Sequence, residues 1–367
     1  MHILLVNDDG PPSPHSSPYV HTLVRELQAA GHVVSVCLPH TQRSWIGKAH
    51  MIGQTVKPTY YRPPPPPLPP AGLRLPAPGP DGDGDAGPAP DGTTHARPAR
   101  DPAVEEWVLV DGTPASCVQI GLYHLFAARG PVDLVLSGPN YGRNTTAVFA
   151  LSSGTLGGAL EAAICRRRAV ALSYAFLSRD HDAAVVAAAS RHAVRVVEAL
   201  ARAWPADGSV DVYSVNVPLV ADVAARPTLW TPMLQNYWDE GSCFAEVDGS
   251  VDGADEDEER IRGAEPGGEP AAEADGRPAA LEHKHFKWAP RFTDVYRSVD
   301  LAPPGNDGWA VREGYTRYVP VSGAASRDSC PSHQSPRAML TRRHSVTPLK
   351  ASFQPATAHV QEGELQL

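Results

Sequence analysis

The sequence predicts an α/β chain in three layers, a mostly parallel sheet between two helical layers, with a C-terminal extension and disordered inserts. Three observations lead there. Short apolar runs of strand length recur as far as about residue 217, helical patterns separate them, and Pro, Gly and acidic residues collect in a few stretches without periodicity.

The run His2-Ile3-Leu4-Leu5-Val6 is continuous enough for a strand buried on both faces of a parallel sheet. Ser17 to Ala30 sets Val20, Leu23, Val24 and Leu27 on one helical face and closes on Gly31, the glycine expected past a helix end. Val33 to Leu38 reads as the second strand. Trp107 to Val110, Val132 to Leu136, Ala169 to Ser173 and Val210 to Val217 supply four more. Helices are expected near Pro114 to Ala127, Thr155 to Cys165 and Asp182 to Ala203, which makes a right-handed βαβ series.

Two stretches interrupt the series. Residues 62–103 hold the proline run Pro63 to Pro67 and then Asp/Gly/Pro/Ala repeats, sequence that cannot offset its chain entropy by burial and is expected to be a disordered, partly polyproline II insert. Residues 246–280, acidic and Gly-rich, read the same way. Residues 320–343 are non-periodic between strand-like flanks, Tyr315 to Val319 and Ser345 to Leu349; an unspliced intron and a genuine disordered loop both account for them. The expected organisation is a core over 1–218, an extension over 219–353 that completes the same domain, and a tail over 354–367.

Thirty-eight prolines and 31 glycines, concentrated in those inserts, reduce the 367 residues to one economical catalytic domain. The net charge of -9 leaves no basic footprint, so duplex nucleic acid is not an expected partner. The five cysteines form no CxxC pair, and Cys37, Cys117 and Cys165 lie in apolar segments, as buried reduced thiols do. Met1 leads straight into the first strand and no apolar run approaches a membrane span, so the expectation is a cytoplasmic protein without a membrane partner.

Four clusters fall at strand ends or helix starts, where an open α/β sheet gathers its ligands. Asn7-Asp8-Asp9-Gly10 ends the first strand on two adjacent carboxylates, which repel each other unless a proton or cation lies between them. Oxygen-only ligation points to Mg²⁺ or Mn²⁺, although the same four residues also suit a plain solvated turn. Gln42-Arg43-Ser44 follows the second strand and offers the Ser44 hydroxyl to the same ion. Ser137 to Asn144 brings two asparagines, Asn140 for the metal through its carbonyl oxygen and Asn144 for an anionic substrate through its amide. Ser152-Ser153-Gly154-Thr155 opens a small-residue helix whose free N–H groups suit an anion; ordinary capping explains Ser153 or Thr155 as well. A hard cation beside a helix N-terminus is what phosphate-ester hydrolysis needs.

These stretches resemble the SurE family of survival-protein nucleotidases and acid phosphatases, most closely its fungal members. The similarity lies in Ile3 to Gly10, Gly31 to Gly47, Asp111 to Cys117, Val132 to Asn144, Ser153 to Glu161 and Ser214 to Pro218, and more weakly in Asp294 to Gly314 and Ser345 to Phe353. The resemblance implies a Rossmann-like domain that hydrolyses nucleoside monophosphates and other phosphomonoesters with a divalent cation, and assembly as a homo-dimer or tetramer. It places the metal ligands at Asp8, Asp9, Ser44 and Asn140, and the substrate phosphate at Asn144, Ser153, Gly154 and Thr155. Asp8 and Asp9 are its catalytic pair, with Asp8 the first choice to position or deprotonate water, while Asn7 and Gly10 shape the turn. The chain departs from the bacterial pattern in the proline-rich run Pro11 to Pro18 and in Ser152, where an aromatic residue is usual.

Two other readings compete. A catalytically idle scaffold would bind partners through its Pro-rich and acidic loops, but the full set of metal and phosphate residues argues against it. A phosphotransfer receiver or aspartyl-phosphate phosphatase needs a strand-end lysine, and before residue 217 only Lys48 and Lys57 are present, neither in such a place.

Overall fold

A computed structural model describes residues 1–64, 92–176, 182–238, 242–247, 284–320 and 348–349. The backbone divides into two compact units, one comprising Met1–Gln235 with the described residues from Ala302 onward, the other Asn236–Leu301.

Its strands are β1 (His2–Val6), β2 (Val33–Pro39), β3 (Pro58–Arg62), β4 (Thr93–His95), β5 (Trp107–Val110), β6 (Leu134–Tyr141), β7 (Ala169–Ala175), β8 (Val212–Pro218) and β9 (Thr228–Trp230). Strands β10 (Phe244–Val247) and β11 (His285–Trp288) form an antiparallel hairpin in the second unit. The first unit resumes with β12 (Thr316–Pro320) and β13 (Pro348–Leu349). Helices α1 (Val20–Ala29), α2 (Pro114–Ile120), α3 (Thr146–Ser152), α4 (Gly154–Ile164) and α5 (Ala183–Arg202) precede α6 (Phe292–Leu301) of the second unit and α7 (Asp307–Arg312).

The sheet order is β4-β3-β5-β2-β1-β6-β7-β8-β12-β9, with β13 also paired to β8. The six strands from β5 to β8 are mutually parallel, while β3 runs antiparallel to β5 and β12 antiparallel to β8. The chain steps outward from β1 through β2 to β5, then returns to β6 on the other side of β1. That reversal opens a crevice at the carboxyl ends of β1 and β6, where such sheets bind their ligands.

Alternation along β1 divides the core. Ile3 and Leu5 face α1 and α5, packing with Leu23, Leu27, Val197 and Leu200, whereas Leu4 and Val6 face α2 and α4 among Val118, Leu156, Ala159 and Ala162. The four apolar residues expected on the α1 face are all buried. Thr113 caps α2 and Pro114 opens it, but the helix expected to reach Ala127 ends at Ile120 in a wider turn. There a Cβ on Gly121 would stand 2.9 Å from Leu4 Cδ1.

Several expectations change. The stretch 62–103 contains a strand, because Thr93–His95 pairs with Tyr60–Arg62 and Arg62 Nε meets Glu106 Oε1 at 3.0 Å; its middle, 65–91, lies outside the described residues. The acidic stretch loses Glu246 and Val247 to β10, and β12 takes Pro320; residues 248–283, 321–347 and 350–367 lie outside the described residues. Helix α3 was not anticipated, being too short for a periodic signal. Cys37 and Cys117 are buried free thiols, Cys165 and Cys243 are partly buried, and Cys330 lies outside the described residues. Among the described residues no single helix is long and apolar enough to cross a membrane.

Candidate active site

The turn after β1 is closed by its own side chain. Asn7 Nδ2 donates to Gly10 O at 2.9 Å, Gly10 N donates back to Asn7 Oδ1 at 3.0 Å, and Gly10 has φ +86°, which glycine adopts without strain. This forces Asp8 and Asp9 into the crevice, only 3% and 1% exposed. Asp8 Oδ1 accepts the Thr155 hydroxyl at 2.7 Å, and Asp9 Oδ2 accepts the Tyr141 amide at 2.5 Å.

Burial pushes the Asp8 carboxyl up to about 6, against the Thr155 hydroxyl and the amides of Thr155 and Gly154, which favour its charge. Asp9 is raised well above the usual range by burial and then by the charge of Asp8, opposed by the Tyr141 amide and the Gln42 side chain. The pair is short of positive charge. Among the described residues no cluster of three or more His, Cys, Asp or Glu is arranged for a metal, so a cation here would complete its shell from neutral oxygens.

The two residues expected as neutral ligands, Ser44 and Asn140, each adjoin in sequence a residue that bonds to Asp8 or Asp9. Arg43 N donates to Asp8 O at 2.7 Å, which sets the exposed Ser44 one residue from that contact. Asn140 precedes Tyr141, whose amide holds Asp9. The segment expected to be a loop after residue 136 is strand instead: β6 continues to Tyr141 with a bulge between Ser137 and Asn140. Only glycine fits the bulge, since Gly138 has φ +136° and a Cβ there would lie 2.1 Å from Leu172 O.

Helix α4 reaches the crevice because its inner side is nearly bare. A Cβ on Gly154 would stand 2.7 Å from Asp8 Cβ, on Gly157 2.2 Å from Gly47 O, and on Gly158 2.7 Å from Ser137 Oγ. Gly47 N also donates to Ser152 O at 3.0 Å, and Lys48 Nζ pairs with the buried Glu161 at 2.6 Å, tying the Ser44 loop to α4.

The residues expected to hold phosphate are differently engaged. Ser153 Oγ accepts the Leu156 amide at 3.1 Å as an ordinary cap, and the start of α4 faces the Asp8 carboxylate, to which Thr155 gives its hydroxyl. Asn144 is buried, its backbone N donating to Asn216 Oδ1 at 2.9 Å and its Nδ2 to Ser173 Oγ at 2.8 Å. Asp8, Asp9, Gly154 and Thr155 are thus in direct contact or one bond apart, while Asn144 is braced from behind.

Sequence reading missed that brace. Ser173 and Asn216 are fully buried polar residues in apolar strands, a visible signal, and Asn216 Nδ2 is without a hydrogen-bond partner. Asp307 left no signal, yet it accepts the amides of Thr146 at 2.6 Å and Leu234 at 2.7 Å and so holds the segment after Asn144. Near these loops His40 bonds to Thr59, and His50 to Ser116 and Glu161.

Comparison with known proteins bears on this crevice. A family model described as survival protein SurE matches residues 3–240. The 5'-nucleotidase SurE of Ruegeria pomeroyi is 35% identical over 221 residues, 59% of this chain and 70% of that protein. A Saccharomyces cerevisiae protein named probable tubulin--tyrosine ligase PBY1 is 34% identical over 259 residues, 65% of this chain; the matched part spans only 31% of the yeast protein. The crystal structure of the SurE protein from Aquifex aeolicus superposes with a TM-score of 0.52 at 20% identity, covering 89% of this chain and 95% of that one, a likeness of fold.

Proposed function

The chain belongs to the survival protein SurE family, and from that premise we propose that it is a phosphomonoesterase acting on nucleoside monophosphates with a divalent cation, Mg²⁺ or Mn²⁺. One observation supports this above the others: two adjacent carboxylates are buried together, each driven toward protonation, with no cationic side chain among the described residues bonded to either. Such a donor set fits a hard cation, which Asp8 and Asp9 would hold with Ser44 and Asn140. Bound there, it would supply positive charge to the phosphoryl oxygens and acidify a water molecule.

The protein's own groups set up the attack. Asp8, one oxygen of which accepts the Thr155 hydroxyl, would orient a water molecule and take its proton as the water oxygen bonds to phosphorus and the ester oxygen departs, to be protonated by solvent. Tyr141 N holds Asp9 in register. Asn144, Ser153, Gly154 and Thr155 edge the phosphate side, with Asn144 held by Ser173 and Asn216; in this reading Thr155 acts first on Asp8. The reading extends to other small phosphomonoesters and to homo-oligomers, and it keeps the cytoplasm as the expected compartment.

The test is a nucleotide panel assayed with and without Mg²⁺ or Mn²⁺. Asp8→Ala and Asp9→Ala are each expected to lose on the order of 10³-fold in turnover while remaining folded. Full activity in both variants, or none in the unchanged protein with either metal, contradicts the assignment.

A further inference from the structure

Resting on the phosphomonoesterase reading, we propose that the turn between β1 and α1, with Tyr141, forms a pocket for the uncharged base of a nucleotide substrate. The observation is a cavity of about 280 Å³ lined by Pro14 and Pro18 of that turn, Tyr19 and Thr22 beside it, Tyr141 at the end of β6, and Ala183 at the start of α5. It is close to the lower end of the roughly 300–1,000 Å³ range of small-molecule pockets.

Position ties it to the chemistry. The backbone of Tyr141 holds Asp9 and its side chain lines the cavity, so one residue joins the carboxylate pair to the pocket wall. The leaving group of a phosphomonoester bound at the carboxylates has to extend away from them, and this cavity is next to them.

Chemistry narrows the occupant. Among the described residues no charged side chain lines this pocket, whereas a cavity of about 490 Å³ at the opposite, amino-terminal edge of the sheet is lined by His32, Asp133, Arg168, Glu198 and Arg202. A flat, neutral heterocycle finds an aromatic wall in Tyr19 and Tyr141 and a polar side chain in Thr22.

The wall is built rather than incidental. The Tyr141 ring stacks on Phe176 at 4.8 Å and meets Tyr19 edge-on at 5.4 Å. The proline turn is closed by reciprocal backbone bonds between Ser13 and Ser17, at 3.3 and 3.1 Å, and Asn7 Nδ2 donates to Ser17 Oγ at 3.2 Å. The residue that closes the metal turn therefore also anchors the pocket rim. The run Pro11 to Pro18, a departure from the bacterial pattern, gains a role in specificity.

The experiment compares AMP with glycerol phosphate, a phosphomonoester without a ring, in the unchanged protein and in Ala183→Trp and Thr22→Trp. Ala183 is exposed, so filling the pocket from that side does not disturb the core. The ratio of kcat/KM for AMP to that for glycerol phosphate is expected to fall at least tenfold in each folded variant, mainly through KM for AMP, as the inhibition constant for inorganic phosphate stays put. Calorimetry with adenosine reads the pocket without catalysis: binding to the unchanged protein is expected, and its loss in Ala183→Trp. A ratio within twofold of the unchanged protein in both variants overturns the proposal. So does failure of the unchanged protein to bind adenosine. If neither ester is hydrolysed at all, the phosphomonoesterase reading fails while adenosine binding still decides the pocket.

Discussion

The two faces of the sheet are packed by opposite means. On one, α1 and α5 present leucines and valines, and Tyr19, Trp107, Tyr174, Trp204 and Tyr213 fill the spaces between them and the strands. On the other, α4 buries Gly154, Gly157, Gly158, Ala159 and Ala162. Large side chains bury apolar area and hold backbones apart. Small ones contribute little area but let backbones approach, and on this face the approach brings α4 onto Asp8, Gly47 and Ser137. One face is therefore built mainly for stability, the other mainly for the geometry of the site.

The contrast is broken most strongly by emptying the first face. Leu27 is fully buried on α1, and Leu27→Ala is expected to cost about 2–5 kcal/mol of unfolding free energy while turnover per folded molecule stays unchanged. Denaturant titration and active-site-normalised kinetics check both halves. A proportional loss of turnover would show that the faces are not separable.

Filling the second face should have the reverse signature. Gly157→Ala puts a methyl group 2.2 Å from Gly47 O, and the Ser44 loop or α4 has to shift. Turnover is expected to fall about 10²-fold with a smaller loss of stability, since displacement of a reacting group by about an ångström costs that much. A variant melting far lower but fully active per folded molecule would contradict it.

The stability face also contains a pH-sensitive point. His192 on α5 is held down to about 4 by burial and then by Arg195. The unfolded chain takes up a proton on this ring below about 6.5, whereas the folded one stays neutral to about 4. Stability from this residue is intact above pH 6.5 and falls by up to roughly 1.4 kcal/mol per pH unit as pH drops toward 4. His192→Gln should flatten that slope, measured as unfolding free energy against pH; an identical slope removes the assignment.

The smallest effect belongs to the insert. Arg62 and Thr93 are paired neighbours, so replacing residues 65–91 with two glycines closes a hairpin whose ends are already adjacent. The melting temperature is expected to move by less than about 3 °C with turnover unchanged, because loop length enters closure entropy only logarithmically. A larger fall in either would place the insert against the core or the site.

The first of the two faces was the more legible in sequence. Val20, Leu23, Val24 and Leu27 announce α1 because a helix with one buried side repeats its apolar residues at helical spacing. Helix α4 is buried almost all round and has no such stripe, yet its Ser-Gly-Thr start and glycines were visible as composition. The sequence ends this strand at Leu136, since Gly, Pro and Asn signal turns wherever they occur and only pairing with β7 shows that it continues through a bulge at Gly138.

Local sequence by itself determined the turn that buries two carboxylates. Asn7 and Gly10 lie three residues apart and bond to each other, and the apolar strand before them has no alternative to the sheet interior. It also determined the run of parallel strands and the family likeness, both read from contiguous residues. Tertiary structure alone decided what each polar group in the crevice bonds to. Thr155 reaches Asp8 across 147 positions, Tyr141 reaches Asp9 across 132, and Asp307 reaches Thr146 across 161. Hydrogen bonds at such separations have no periodicity to mark them, because they depend on where the sheet reverses and how closely a glycine-lined helix can approach it.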